Sequence, residues 1–301
     1  MTSALPQMKK VRIMRQTLLT GFLVLGLMPP AVAGSPVQDS QPPSLLVKFA
    51  PPKLADIPDD ANGKQVLYGR RLVMETARLL PDNVGGVLNC TSCHLGGGMV
   101  AGASPFVGQA AASYPRNNAR AGHTVTLEQR INGCFQRSMN GKPLPEDSAE
   151  MKAMIAYFNW LSAGLPPHAK VEGAGIGKID KSLMPDPAHG KQIYGAKCAA
   201  CHGTDGNGLK DAKGNYVFPP LWGDKSFNVG AGMARTYTAA AFVKHNMPIA
   251  WGLNAPLGQG GALSDQDAVD VAEYFSHQPR PDFAGKAKDW PNGGKPKDAR
   301  Y

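Results

Sequence analysis

After residue 33 this 301-residue chain has no apolar run long enough to cross a bilayer, which excludes a membrane-spanning body for a mature protein. Acidic residues are in the minority, 23 against 32 Lys and Arg. Yet no nucleic-acid motif accompanies the sequence pI of 9.3, so basicity alone makes no case for DNA or RNA. Aromatic residues are sparse, at 7% of the chain. Cysteines number only five, and the count is odd. Residues 34–60 lack hydrophobic periodicity and read as an extended, Pro-rich surface arm. What the chain has in quantity is 35 glycines and 26 prolines, which imply much loop.

The start of the chain has the layout of a secretory signal. Lys9, Lys10, Arg12 and Arg15 form a basic region, Leu18 to Met28 a short apolar region, and Ala31-Val32-Ala33 a small-residue cleavage site. Pro29 and Pro30 break the apolar run, which is too short for an anchor. A cleavable signal over residues 1–33 places the mature protein in the periplasm. Its removal would lower the formal charge from +9 to +5.

Four of the five cysteines fall in two copies of one pattern. Cys90-Thr91-Ser92-Cys93-His94 and Cys198-Ala199-Ala200-Cys201-His202 each place two thiols three positions apart with an imidazole next to the second. That is the attachment signature of a c-type haem: the thiols add to the two vinyl groups and the histidine takes the iron. Two covalently bound haem c groups are therefore expected, held by Cys90, Cys93, Cys198 and Cys201, with His94 and His202 as proximal ligands. Their roughly four propionates would bring the holoprotein close to neutrality.

The order of features repeats. Gly63-Lys64-Gln65 with Tyr68-Gly69 is echoed by Gly190-Lys191-Gln192 with Tyr194-Gly195, each ahead of a CxxCH motif. In the first half the helical face is Val66, Leu67, Leu72, Val73, Ala77, Leu79 and Leu80. Pro105-Phe106-Val107-Gly108 and Pro220-Leu221-Trp222-Gly223 follow the motifs, and each half closes with an aromatic-bearing helix, Ala149 to Leu161 and Ser264 to His277. The plan resembles the class I cytochrome c fold. The fold expected is mainly α, with two tandem domains joined by a Gly/Pro-rich linker. Domain one covers residues 34–165, the linker 166–187, and domain two, with a polar surface tail from Arg280, 188–301.

The sixth ligand of each iron decides what the haem does. In the second half the candidate is Met247, followed by Pro248, with His245 and Met233 as rivals. In the first half the equivalent slot holds Cys134, with Met139 the nearest methionine; as the fifth cysteine it has no intramolecular partner left and is either buried and inert, paired with another chain, or functional. As a thiolate it would lower that haem's potential beneath that of a His/Met partner. Between Arg116 and Lys142 five Arg and Lys face one acid, Glu128. Arg130, Cys134 and Ser138 sit at i, i+4 and i+8, one face of a helix, where a guanidinium and a hydroxyl would frame an anion beside the sulfur.

These residues resemble the dihaem thiosulfate dehydrogenases. The resemblance rests on the two CxxCH motifs, the run Arg130-(x)3-Cys134-(x)3-Ser138-Met139-Asn140-Gly141-Lys142, and the tail Asp289-Trp290-Pro291-Asn292-Gly293-Gly294-Lys295-Pro296. The first half is also similar to the haem-thiolate cytochromes of the multicomponent sulfur-oxidation system; Met247 and the tail separate the two. The resemblance implies oxidative coupling of two thiosulfates to tetrathionate, possible in reverse, with a c-type cytochrome as acceptor. It implies Cys134 as distal ligand and catalytic sulfur, Met247 as distal ligand of the second haem, and Arg120, Arg130, Ser138 and Lys142 as anion-binding positions. Some relatives carry a ligand-exchanging lysine beside this methionine; here the neighbour is Asn246, with Lys244 three positions from Met247. Two other readings of the same residues are a plain dihaem electron carrier and a sulfur-carrier subunit.

Overall fold

Helix starts in this chain are set by short polar side chains that satisfy otherwise unpaired backbone N–H groups. Asp60 caps α1 (Ala61–Met74), accepting from the Gly63 amide at 2.8 Å. After the single turns α2 (Thr76–Leu79) and α3 (Leu95–Gly98), Thr126 forms a capping box with Gln129 at the head of α4 (Leu127–Arg137). Ser148 caps α5 (Ala149–Leu161), and Asp186 caps α6 (Pro187–Lys197), which has proline at its first position. The turn α7 (Ala199–His202) carries the second CxxCH, and α8 (Thr236–Asn246) follows. Ser264 and Asp267 form a capping box on α9 (Asp265–Ser276).

This computed structural model describes residues 45–108, 114–166, 169–249 and 260–301. The expected signal peptide and the start of the arm lie outside them. Among the described residues the fold is mainly helical, with three two-stranded sheets, and no helix is long and apolar enough to cross a membrane.

Each half is built on a crossed pair of terminal helices, α1 on α5 and α6 on α9. Val66, Leu72 and Val73 meet Met151, Met154, Tyr157 and Leu161 in the first core. The periodic stretch expected as one helix breaks at Glu75, and Leu67 faces solvent. The break turns the fully buried Thr76 hydroxyl toward the first CxxCH. It donates to Leu72 O at 2.7 Å and accepts from the Cys90 amide at 3.0 Å.

The crossing glycines do not follow the sequence echo. A Cβ on Gly69 would lie 1.9 Å from Ala153 O, and one on Gly190 would lie 2.0 Å from Asp270 O. Gly195, the motif counterpart of Gly69, would meet nothing within 4 Å. Gly69→Ala should therefore cost about 1–3 kcal/mol by forcing α1 off α5. Gly195→Ala should gain about 0.5–1 kcal/mol from helix propensity. Urea unfolding of the two variants checks this; equal effects would refute the close crossing.

The linker and the tail are more structured than their composition implies. Residues 45–47 pair with 170–172 through a parallel strand pair, β1 (Leu46–Val47) with β4 (Lys170–Val171). Between these in sequence lies an antiparallel hairpin, β2 (Arg116–Asn118) with β3 (His123–Val125). Gly173 O and Gly175 O each accept from the loop after the first CxxCH, at Gly102 and Ser104, both at 2.7 Å. The remaining hairpin, β5 (Leu209–Lys210) with β6 (Tyr216–Phe218), follows the second motif.

The polar tail does not simply wrap the surface. Its Asp289 carboxylate is 3% exposed, paired to Arg137 and, at 3.8 Å, to Arg120 of the first half. Trp290 is buried beneath Arg120, 4.7 Å from its guanidinium. Asn228 adds bonds to Gln136 O at 2.8 Å and Asn140 Oδ1 at 3.0 Å. Residues Pro43–Tyr301 thus form one compact unit.

Candidate functional site

The first CxxCH opens onto a cavity of about 980 Å³, counting its mouth. Cys90, Cys93 and His94 line it together with Phe106, Phe158, Leu127, Ile131 and Met154. His94 Nδ1 lies 2.5 Å from Ser104 O and donates its proton there, which leaves the Nε2 lone pair for a metal. Cys134, in the third turn of α4, lines the same cavity and stands within hydrogen-bonding reach of the His94 ring.

Charge around this sulfur is asymmetric. Burial pushes Cys90 and Cys93 up to about 12. Burial acts on Cys134 as well, but Arg130 and then His94 outweigh it and hold that thiol at about 6. Arg130 donates to Cys134 Sγ at 2.9 Å, and the sulfur in turn holds the guanidinium above its ordinary value. The chain's own groups therefore favour a thiolate at this one cysteine.

The second motif opens onto a cavity of about 700 Å³ walled by Leu221, Phe227, Phe242, Val243 and Phe275. His202 repeats the arrangement of His94, its Nδ1 2.9 Å from Pro219 O. Burial lowers its pKa, keeping the imidazole neutral and able to ligate. Met247, directly after α8, and Met233 both line this cavity, whereas His245 bonds Lys178 O at 3.1 Å and does not. Lys244 pairs with Asp265, and Asn246 is buried, donating to Gly102 O at 2.9 Å. Leu88 and Cys93 line both cavities, so the wall between them is one residue thick.

Both donor sets fit a haem. The first cavity is lined by Cys90, Cys93, His94 and Cys134, and the second by Cys198, His202, Met233 and Met247, each against largely apolar walls. Cys134, Arg130 and Ser138 are brought together as their spacing predicts; Ser138 caps the C-terminus of α4 and lines the first cavity.

Two of the expected anion-binding residues are corrected. Arg120 does not line the cavity: its guanidinium is taken up by Gly230 O at 2.6 Å, Asp289 and the Trp290 ring. Burial lowers its pKa, and Tyr301 and Asp289 act against that shift. Lys142 is exposed and also lies off the cavity, because its backbone turns to pair with Asn83 O at 3.1 Å.

Two cavity residues were not singled out by the sequence. Arg116, counted there only among the local cations, lines the cavity beside Tyr114. Tyr114 carried no signal beyond its being an aromatic amid arginines.

Residues 86–166 match the family described as SoxA/TsdA, cytochrome c domain, and residues 187–279 match Cytochrome c. The chain is 50% identical over 249 residues to a thiosulfate dehydrogenase of Psychrobacter arcticus, covering 83% of this chain and 73% of that protein. It is 46% identical to a thiosulfate dehydrogenase of Allochromatium vinosum, covering 81% and 87% respectively. Among solved structures, "Thiosulfate dehydrogenase (TsdBA) from Marichromatium purpuratum" in its "as isolated" form is similar at a TM-score of 0.68 and 34% identity. That alignment covers 76% of this chain, which spans about half, 49%, of the Marichromatium chain. A protein of two cytochrome c domains in tandem is what these matches describe.

Proposed function

The chain belongs to the dihaem thiosulfate dehydrogenases, and from that premise we propose that its first cavity joins two thiosulfates into tetrathionate at Cys134. It is an enzyme with two covalently bound c-type haems that oxidises thiosulfate and passes the electrons to cytochrome c. The carrier-only and sulfur-carrier readings give way to that activity.

The reading of the site is carried by the Arg130–Cys134 contact of 2.9 Å. Two thiosulfate dianions with centres about 5 Å apart repel by about 13 kcal/mol at an effective dielectric of about 20. A site that brings them together must hold fixed positive charge. Arg130 supplies it on the helix face that carries the sulfur, and Ser138 adds a hydroxyl one turn on. Among the described residues no Asp or Glu lines the cavity to cancel it.

The proposed steps balance as follows. The Cys134 thiolate and the terminal sulfur of one thiosulfate form an S–S bond, releasing two electrons. The terminal sulfur of a second thiosulfate attacks that sulfur; the new S–S bond completes tetrathionate, and the pair from the broken bond returns to Cys134 as thiolate. No proton moves in either step. Bound haems would supply one-electron acceptance, and Cys134 and Met247 are the residues proposed to hold them together with His94 and His202. The reaction is reversible in principle, the direction following the acceptor's potential. The periplasm is the proposed compartment.

Purified protein given thiosulfate and an artificial one-electron acceptor should form tetrathionate without a second subunit. Absence of tetrathionate while the acceptor is reduced would refute the coupling. Arg130→Gln is expected to raise KM for thiosulfate about 10- to 100-fold, the worth of a charge-assisted bond, with a smaller fall in kcat. Steady-state kinetics decides; an unchanged KM would remove Arg130 from the anion site.

A further inference from the structure

Coupling two identical anions requires two places for them, and Arg130 with Ser138 provides one. The first cavity holds a second guanidinium. We infer that Arg116, set on the ring of Tyr114 at the cavity mouth, forms a second anion subsite that receives the sulfonate end of the second thiosulfate. This deepens the proposed function and rests on it.

The placement follows from local structure. Arg116 opens β2 and pairs in register with Val125 of β3. Val125 is buried and immediately precedes Thr126, the cap of α4. One hairpin-plus-helix unit therefore presents Arg116, Arg130 and Cys134 to the same cavity. The Arg116 guanidinium lies 4.7 Å from the centre of the Tyr114 ring, and the Tyr114 hydroxyl is hydrogen-bonded to Arg130. Tyr114 thus touches both cations and fixes their spacing.

Charge pairing sorts the arginines of this region. Arg120 and Arg137 share the Asp289 carboxylate. Among the described residues neither Arg116 nor Arg130 has a carboxylate partner. Two guanidinium groups meet one tyrosine, and no acid among the described residues lines their cavity, so the local field favours anions. A planar guanidinium forks onto two oxygens of a sulfonate, which a thiosulfate presents opposite its reactive terminal sulfur. With its sulfonate on Arg116 and its terminal sulfur inward, the second thiosulfate is aimed at the sulfur held on Cys134. The S–S bond then forms and the Cys134–sulfur bond breaks, with no further electrons lost.

Tetrathionate carries a sulfonate at each end and so touches both subsites, whereas sulfate occupies one. The test is calorimetric titration of the oxidised dihaem protein with each anion, without reductant, so that nothing turns over. Arg116→Gln should weaken tetrathionate about tenfold, leave sulfate within about twofold and leave the haem absorption spectrum unchanged. Arg130→Gln should weaken both anions. Tetrathionate affinity unchanged in Arg116→Gln but reduced in Arg130→Gln would remove the second subsite and leave the proposed function standing. Equal weakening of sulfate and tetrathionate by Arg116→Gln would also overturn it, merging the two subsites into one. Wild-type protein that binds no tetrathionate would take down the subsite and the proposed function together.

Discussion

Cys134→Met is expected to lower thiosulfate turnover by about three orders of magnitude or more while both haems stay attached. The cysteines proposed for attachment, Cys90, Cys93, Cys198 and Cys201, are unaltered, and His94 and His202 keep their carbonyl partners. What is lost is the anionic sulfur that Arg130 holds as a thiolate. A thioether is neutral and carries no proton to lose, so it cannot bond covalently to thiosulfate and regenerate. As a ligand it would also raise the potential of the first haem toward that of the second, removing the proposed downhill step between them. Haem content per chain, a redox titration and steady-state rates check the three parts separately. Cys134→Ser separates nucleophile from ligand: inactivity in both variants despite different potentials would place the defect in bond formation. Near-normal turnover in either would end the case for covalent sulfur transfer.

The parts of this molecule that could be read from sequence are the local ones. The CxxCH pairs, the closing helix of each half, and the shared face of Arg130, Cys134 and Ser138 need only neighbours within two or three turns. What escaped is set by partners far along the chain. Arg120 and Arg116 look alike in sequence, four positions apart. Arg120 meets an acid from a tail 169 residues further on, while Arg116 is turned to the cavity by its pairing with Val125. Nothing near either residue announces that difference. The same applies to Gly69 and Gly195: motif order equates them, yet only Gly69 faces another helix's backbone. A repeat in sequence fixes the order of elements, not the register at which they cross.

The Asp289 clasp of the tail is expected to make a large contribution to stability. Asp289→Leu should destabilise the protein by about 3 kcal/mol, because it strands two guanidinium groups, each under a fifth exposed, without a counter-charge. Urea unfolding measures the loss. Arg137 is the last residue of α4 and Asn228 bonds the carbonyl of Gln136 beside it, so the tail and the second half grip the end of the helix that carries Cys134. The variant should therefore also lower kcat while leaving haem content intact, as the sulfur loses its fixed support. The double variant Arg137→Met with Asp289→Leu distinguishes charge from shape. Replacing the main pair by apolar groups of similar size should recover much of the stability, since the penalty comes from the unpaired cation more than from the missing bond. If the double variant were no more stable than Asp289→Leu alone, the clasp would act through packing around Trp290 and Phe283, and the ion pair would be incidental to it.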